Sequence, residues 1–300
     1  MADTAGRPAD FEAYWDAVDG ELAEYPAAAE PELLPLRSTD RFTTYGVQLT
    51  SSGPYRIFAY YSVPVGDGPF PGLVQTPRYG SVNHIPDYND RLRYAVIQIM
   101  HRGQRLADQP FAAAYPGLLT LGIDDPATYI YRGIVADSLR GAEYLLTRPE
   151  VDQGRVAIVG DDLAVITAAR RPRFTALEAS GLMFYRLMEA RERTSAYPIE
   201  EVNDYLRAFP DKTAAVARTL SYFDPQFFAP AVLAETVLSV GDPGTVGGPE
   251  WLKPLADALR GRVEEYRLSH EGGTDHDWLD AWLARRLGSE AMTRFRRVLA

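Results

Sequence analysis

The stretch Arg155–Ala164, with the sequence RVAIVGDDLA, organises the rest of this 300-residue chain. Its four consecutive apolar residues, Val156 to Val159, predict a strand that is buried on both faces. Gly160 predicts a tight turn after that strand. The residues from Leu163 to Ala169 are good helix formers without a breaker, so they predict a helix. A sharp strand-to-helix turn therefore lies at the centre of the predicted fold.

Further strands and helices alternate on both sides of this turn. The apolar patterns predict strands at residues 41–50, 55–63, 72–76, 94–99, 237–240 and 263–268. Helices are predicted after an N-cap at Asp10 and at residues 128–147, 181–193, 199–208, 213–222 and 249–259, with two more from about Asp275. This alternation predicts an α/β fold with a mostly parallel central sheet and helices on both faces. We expect a single domain over residues 1–300.

Composition narrows the possible partners. The chain has a formal net charge of −10, no cysteine, and only Lys212 and Lys253 as lysines. An acidic chain without a basic cluster argues against nucleic acid or an anionic membrane as a partner. Neither a signal peptide nor an apolar run of membrane-spanning length is recognisable, so we expect a cytoplasmic protein. The glycines form no dinucleotide or phosphate-binding fingerprint, and we expect no metal and no cofactor.

Three titratable residues follow the ends of predicted strands, and their order along the chain is informative. Asp162 stands in the central turn, Asp242 in the Gly-Asp-Pro-Gly turn after residues 237–240, and His270 after the last predicted strand. This is the order of nucleophile, acid and base in α/β-hydrolases, where a G-x-S-x-G turn carries the nucleophile. Here that turn reads Gly160-Asp-Asp-Leu-Ala164, so Asp162 replaces the serine.

Several segments in chain order resemble the acetyl xylan esterase and cephalosporin C deacetylase family, carbohydrate esterase family seven. They are Phe11–Trp15, Arg102–Gln104, Gly122–Ile123, Tyr129–Arg132 with Asp137, Pro149–Asp152, Tyr222–Asp224 and His270–Glu271. The resemblance implies an α/β-hydrolase fold with an N-terminal helix and hairpin extension. It also implies a homo-oligomer, possibly a hexamer, and hydrolysis of acetyl esters on small molecules. By position, the segment 178–228 corresponds to a helical lid insertion.

The resemblance also assigns roles to particular residues. Asp242 corresponds to the family acid and His270 to the base. Tyr79 corresponds to the residue whose amide helps to form the oxyanion hole, and Leu163 would offer the second amide. This sequence departs from the family at the elbow serine, at the following Gln and Gly, and at Arg105. Serine esterase chemistry requires a Ser–His pair, so the missing hydroxyl removes its usual starting point.

Three functions remain open from the sequence. Asp162 could act as a nucleophile that forms a covalent ester, which water activated by His270 then hydrolyses. It could instead act as a general acid or base in a cyclisation, elimination or isomerisation of secondary metabolism. The third function is that of a pseudoenzyme that binds a ligand or completes an assembly. A dry, apolar pocket with Asp162 within hydrogen-bond reach of His270 favours catalysis, whereas a filled pocket favours the pseudoenzyme.

The candidate residues for binding a small-molecule substrate are weaker than these. The lid tyrosines Tyr185, Tyr197 and Tyr205 are candidates because epoxide opening needs lid acids, although each could equally belong to the core. His84 lies in the loop after Tyr79, where it could face the pocket. His101 and His276 are expected to have structural roles.

Overall fold

The protein's structure, a computed structural model, describes residues 6–293. Within this part of the chain, nine strands form one sheet. Their bounds are β1 (Glu30–Leu33), β2 (Phe42–Thr50), β3 (Arg56–Pro64), β4 (Phe70–Gln75), β5 (Ala95–Met100), β6 (Val151–Gly160), β7 (Ala176–Ala179), β8 (Glu235–Val240) and β9 (Val263–Arg267). The spatial order is β1-β2-β3-β5-β4-β6-β7-β8-β9.

The sheet changes from antiparallel to parallel at β5. Strands β1, β2, β3 and β5 pair antiparallel, whereas every later pair, from β5–β4 to β8–β9, is parallel. The quoted strand β6 lies inside the parallel part, and Val156, Ala157 and Ile158 have no exposed surface. The prediction of a mostly parallel sheet with a doubly buried central strand is therefore confirmed.

Helices cover both faces of this sheet. Their bounds are α1 (Phe11–Glu24), α2 (Tyr88–Arg93), α3 (Ile130–Leu146), α4 (Asp162–Arg170), α5 (Leu187–Ala190), α6 (Glu200–Ala208), α7 (Thr213–Ser221), α8 (Pro249–Ala258) and α9 (Gly272–Leu287). On one face, Trp282, Leu283 and Leu287 of α9 pack against Ala157 and Val237. Helices α3 and α4 contribute to the larger core on the other face. This arrangement is the α/β-hydrolase fold.

The predicted hairpin is present as β2 and β3, and the chain itself covers most of its apolar side chains. Ile57 and Tyr61 are almost completely buried, and Phe58 is 9% exposed. Strand β1 pairs with the outer side of β2, and all four of its residues are exposed. The edge strand on this side of the sheet is therefore β1 rather than a strand of the hairpin.

Several local features differ from the predictions. Asp10 precedes α1 but makes no capping bond, because its Oδ1 accepts a hydrogen bond from Tyr222 Oη at 2.6 Å. The helix predicted at 181–193 is reduced to α5, because Gly181 and Arg186 both have left-handed φ angles. Strand β7 was not predicted, and it includes residues 178 and 179 at the start of the expected lid.

At the carboxyl end one helix, α9, replaces the two that were predicted from Asp275. It ends at Gly288, which has a φ of 65° and stops the helix in the left-handed conformation. Residues 289–293 are not helical, and the remainder of the second predicted helix lies outside the described residues. Within residues 6–293, no helix is long and apolar enough to span a membrane.

Candidate functional site

The central turn has the strand-to-helix geometry that the sequence predicts. Strand β6 ends at Gly160 and α4 begins two residues later at Asp162. A Cβ atom on Gly160 would lie 1.9 Å from Thr76 Oγ1, so any other residue would require the Thr76 side chain to move. Asp162 therefore lies at the amino terminus of α4, at the position of an elbow nucleophile.

Backbone amides of the chain itself occupy the carboxylate of Asp162. Its Oδ2 accepts a hydrogen bond from Met183 N at 2.6 Å, and its Oδ1 accepts one from Phe184 N at 3.0 Å. The residue is 1% exposed. Burial, and secondarily the charge of Asp161, raises the pKa of Asp162 well above its ordinary value, although the two amides oppose this effect. Asp162 thus ties the loop between β7 and α5 to the start of α4.

The neighbouring carboxylate of Asp161 occupies the Leu163 amide. Its Oδ1 accepts a hydrogen bond from Leu163 N at 3.0 Å, the bond of an N-cap residue. Burial raises the pKa of Asp161 to about 6. Leu163 N is the amide that the resemblance assigned to the oxyanion hole, so in this structure that donor already has an anionic partner.

Tyr79 is held by helix α6. Its hydroxyl donates to Glu201 Oε1 on α6. The other oxygen of Glu201 accepts hydrogen bonds from Gly117 N at 2.7 Å and Leu119 N at 3.3 Å. Glu201 is only 4% exposed. One buried carboxylate therefore connects α6, the Tyr79 loop and the segment at residues 117–119.

The space around Asp162 is very small. A cavity of about 10 Å³ is lined by Pro77, Arg78, Tyr79, His101, Tyr131, Asp161, Asp162, Leu163, Met183 and Phe184. This volume is about what a single water molecule requires. An acetyl group therefore does not fit beside Asp162 in this conformation. The pocket is filled, which is the arrangement that favours a pseudoenzyme.

Asp242 and His270 are together but lie at the surface. His270 Nε2 is 3.5 Å from Asp242 Oδ2, and their side chains are 62% and 55% exposed. Asp242 also binds Arg267 at 3.1 Å, and this hydrogen bond is the main reason why the pKa of Asp242 is below its usual value. Within residues 6–293 no hydrogen bond joins His270 to Asp162, and His270 does not line the cavity around Asp162. The acid and base therefore pair with each other but not with the elbow residue.

Residues 2–260 match the family model for acetyl xylan esterase (AXE1). The chain belongs to the acetyl xylan esterase family. The match includes Tyr79, Asp162 and Asp242, whereas His270 lies beyond its end. Family membership confirms the resemblance seen in the sequence.

Individual relatives agree with this membership. The chain is 24% identical over 253 residues to the acetyl esterase Axe7A of Xylanibacter ruminicola, a match that covers 78% of this chain and 56% of that protein. The chain therefore spans about half the length of this curated relative.

Solved structures of family members have the same fold. The acetyl xylan esterase from Paenibacillus sp. R4 has a TM-score of 0.81 at 24% identity, and the match covers 94% of this chain and 96% of that one. Acetyl xylan esterase 1 from Thermoanaerobacterium sp. JW/SL YS485 has a TM-score of 0.79 at 20% identity, with 94% and 95% covered. The chain therefore shares its overall fold with these two proteins.

The proposed substrate residues do not surround the elbow of this family member. Tyr185 is buried against Trp251, and its hydroxyl has no hydrogen-bond partner among the described residues. Tyr197 is 59% exposed and binds Asp204, while Tyr205 packs against Phe209. His84 is exposed and lines a separate groove of about 360 Å³. None of the four lines the cavity around Asp162.

Sequence reasoning missed the residues that close the elbow. Asp161 could have been identified, because an Asp directly before a run of helix formers is a typical N-cap. Glu201 and the amides of Met183 and Phe184 gave no such signal, since they reach the site only through tertiary folding. His101 is buried as expected, with Nδ1 2.6 Å from Arg102 O, and burial lowers its pKa to about 4. Within residues 6–293, no group of three His, Asp or Glu side chains is arranged for a metal ion.

Proposed function

We propose that this member of the acetyl xylan esterase family does not hydrolyse esters at its elbow and acts by binding a small ligand. The observation that carries this proposal is the state of Asp162. Both of its carboxylate oxygens accept backbone hydrogen bonds, in a cavity of about 10 Å³. The bound Leu163 amide supports the proposal independently, because an oxyanion needs donors that are free to receive it.

A nucleophilic carboxylate has requirements that this arrangement opposes. It must be ionised, and one oxygen must approach the electrophilic carbon to about 3–3.5 Å. Burial raises the pKa of Asp162, which favours the neutral acid, and both oxygens already face backbone amides. A general acid or base meets the same obstacle, because no substrate-sized space adjoins the side chain. Either chemistry would first require the Met183–Phe184 loop to move.

Hydrolysis of 4-nitrophenyl acetate tests this proposal. We expect the wild-type protein, His270→Ala and Asp162→Ala to release nitrophenol equally slowly, at the rate of an unrelated protein of equal concentration. A serine-containing acetyl xylan esterase assayed in parallel establishes that the assay works. Turnover by the wild type that disappears in His270→Ala would overturn the proposal, because it would require a working nucleophile and base.

A second candidate function has one observation in its favour. Asp242 and His270 still pair at 3.5 Å, as an acid and base would in a hydrolase. In that case Asp162 would attack an electrophilic carbon and displace its leaving group. Water deprotonated by His270 would then attack the carboxyl carbon of the ester, release the product alcohol and leave one solvent oxygen in Asp162.

A turnover experiment in heavy-oxygen water distinguishes these possibilities. The protein is incubated with small epoxides, alkyl halides and esters. The mass of the peptide that contains Asp162 is then measured by mass spectrometry. We expect neither product nor label. Label in the peptide, together with an ester trapped in His270→Ala, would establish the nucleophile. Product without label or adduct would instead support general acid–base chemistry.

We also propose that the protein forms a homo-oligomer, for which the exposed edge of the sheet gives support. Strand β1 is open to solvent, Leu33 is 50% exposed, and Leu36 in the adjoining 3₁₀ turn is 98% exposed. An open strand edge with apolar side chains favours pairing with another chain. Sedimentation at micromolar concentration should show a species larger than the 33.3 kDa monomer, and Leu36→Asp should weaken it. A wild-type monomer would contradict this proposal.

A further inference from the structure

A second cavity shares Arg78 with the elbow cavity. Its volume is about 210 Å³, and it is bounded by the ends of β4, β6 and β7 and by helix α9. Leu73, Val159, Leu279 and Leu283 form its apolar walls. The charged and titratable lining consists of Arg78, Asp87, Asp90, Glu178, His276 and Asp280. Arg78 is the one residue that this cavity shares with the lining of the elbow cavity.

Glu178 is the unusual member of this lining. It lies on the short strand β7 and is in register with Val159 of β6 and Val237 of β8. Ala176, two residues earlier on the same face, packs in the apolar cluster with Trp282 and Leu283. Glu178 therefore places a carboxylate in a row of the parallel sheet where its neighbours are apolar.

Within the described residues, Glu178 has electrostatic neighbours but accepts no hydrogen bond. Burial raises its pKa to about 7, and the charge of Arg78 opposes this effect while those of Asp90 and Asp280 add to it. Glu178 is only partly buried and lines the cavity, so its carboxylate is reached from the cavity and not from a donor of the chain. An unsatisfied acceptor that faces a cavity is explained most simply by a donor that comes from outside the chain.

The other carboxylates of the lining show the contrast. Asp90 accepts hydrogen bonds from Gln75 Nε2 at 3.0 Å and from Arg93 Nη2 at 3.2 Å. Asp280 pairs with Arg93 and accepts a bond from Met292 N at 2.7 Å. Four carboxylates (Asp87, Asp90, Glu178, Asp280) against two guanidinium groups (Arg78, Arg93) leave an excess of two negative charges when all are ionised. The cavity therefore favours a cation.

We propose that this cavity binds a small organic cation, a primary amine whose ammonium group donates to Glu178 and whose carbon chain lies against Leu73 and Val159. An ammonium group supplies three donors, which match the free acceptors of this carboxylate. The groove that contains His84, about 360 Å³, shares Gln75, Arg78, Asp87 and Val159 with the cavity and offers room for a longer chain. This site stands independently of any chemistry at Asp162.

Calorimetric titration of the full chain at pH 8 with n-butylamine, 1-butanol and butyrate tests the proposal. The three probes have similar size and differ in charge. We expect butylamine to bind at least about tenfold more tightly than butanol, because a hydrogen bond to a charged group contributes that much. The proposal would be overturned if butanol bound as tightly as butylamine or if butyrate bound more tightly. It would also be overturned if butylamine did not bind at concentrations up to 10 mM, which corresponds to a binding free energy of about −2.7 kcal/mol.

Two substitutions and one control variant test whether butylamine binds in this cavity. Glu178→Gln keeps the size and removes the charge, so it should weaken butylamine at least about tenfold. Glu265→Gln, the same change at an exposed position on β9, should leave the affinity unchanged. Leu279→Trp fills the cavity and keeps its charges, so it should abolish binding even if Glu178→Gln fails to fold. Unchanged binding in a folded Glu178→Gln or Leu279→Trp protein would contradict the site.

The pH dependence provides an independent readout. Wild-type affinity should fall as the pH is lowered from 8 to 6, because Glu178 then gains a proton and loses its charge. Asp87, Asp90, His276 and Asp280 also carry ionisable side chains that line the cavity, so the decisive comparison is between the wild type and Glu178→Gln. The same fall in both proteins would show that another group holds the amine and would overturn the assignment to Glu178.

Discussion

The elbow and the cavity beside α9 each contain a carboxylate whose pKa burial has raised, but the two carboxylates differ in their partners. Asp162 accepts hydrogen bonds from Met183 N and Phe184 N and lies at the amino end of α4, where the helix dipole favours negative charge. Glu178 accepts no hydrogen bond from the described residues and lies near the carboxyl end of β7, in register with Val159 of β6. The chain thus satisfies one carboxylate fully and leaves the other open.

This difference separates a structural role from a binding role. A satisfied carboxylate connects two segments of the fold, and its removal leaves buried donors without partners. An unsatisfied carboxylate destabilises the fold by itself, and it is explained when a ligand completes it. The position of Asp162 in the family motif would suggest the opposite assignment, so the contacts are more informative than the motif here.

The largest effect should come from Asp162→Ala. This change leaves two buried amides unpaired, so we expect the free energy of unfolding to fall by about 2–5 kcal/mol, measured by urea denaturation. Asp162→Asn keeps one acceptor, so its free energy of unfolding should lie between those of Asp162→Ala and the wild type. Asp257→Ala, at an exposed position of α8, is the control and should leave the midpoint unchanged. An Asp162→Ala protein as stable as the wild type would remove the structural role.

Glu178→Gln should raise the free energy of unfolding, by less than Asp162→Ala lowers it. The pKa of Glu178 is about 7 in the folded protein against 4.5 ordinarily, so the unfolded chain releases this proton first as the pH rises. Its destabilising contribution therefore grows between about pH 4.5 and 7, to at most about 3 kcal/mol. We expect Glu178→Gln to be more stable than the wild type at pH 8, without added amine, and nearly equal to it at pH 4.5. A less stable variant at pH 8 would show that Glu178 has a partner within the fold.

The smallest effect should come from the surface pair. Asp242 and His270 are both more than half exposed, so solvent screens their interaction. We expect Asp242→Asn, His270→Ala and the double variant to share the wild-type urea midpoint and the wild-type affinity for butylamine. Either single variant could instead be markedly less stable than the wild type, without recovery of that stability when the other substitution is added. This result would show that the pair is buried in solution, for example in an oligomer.

The sequence predicted the frame of the fold well because periodicity and chain order encode it. The apolar run in β6, the helix formers of α4 and the amphipathic pattern of α1 each specify their element locally. The family motif also placed Asp162, Asp242 and His270 at the ends of β6, β8 and β9. Strand β7 was missed because four residues with Glu178 among them show neither a continuous apolar run nor a clear alternation.

The sequence by itself determined the α/β fold, the family and the absence of a serine at the elbow, since each of these depends on residue type and order along the chain. Only the tertiary structure decided which donors meet which carboxylates. Met183 and Phe184 lie 21 and 22 residues from Asp162, and Asp280 lies about a hundred from Glu178, yet both sites are built from these contacts. A carboxylate's partners depend on how distant segments pack, and that packing decides whether it supports the fold or awaits a ligand.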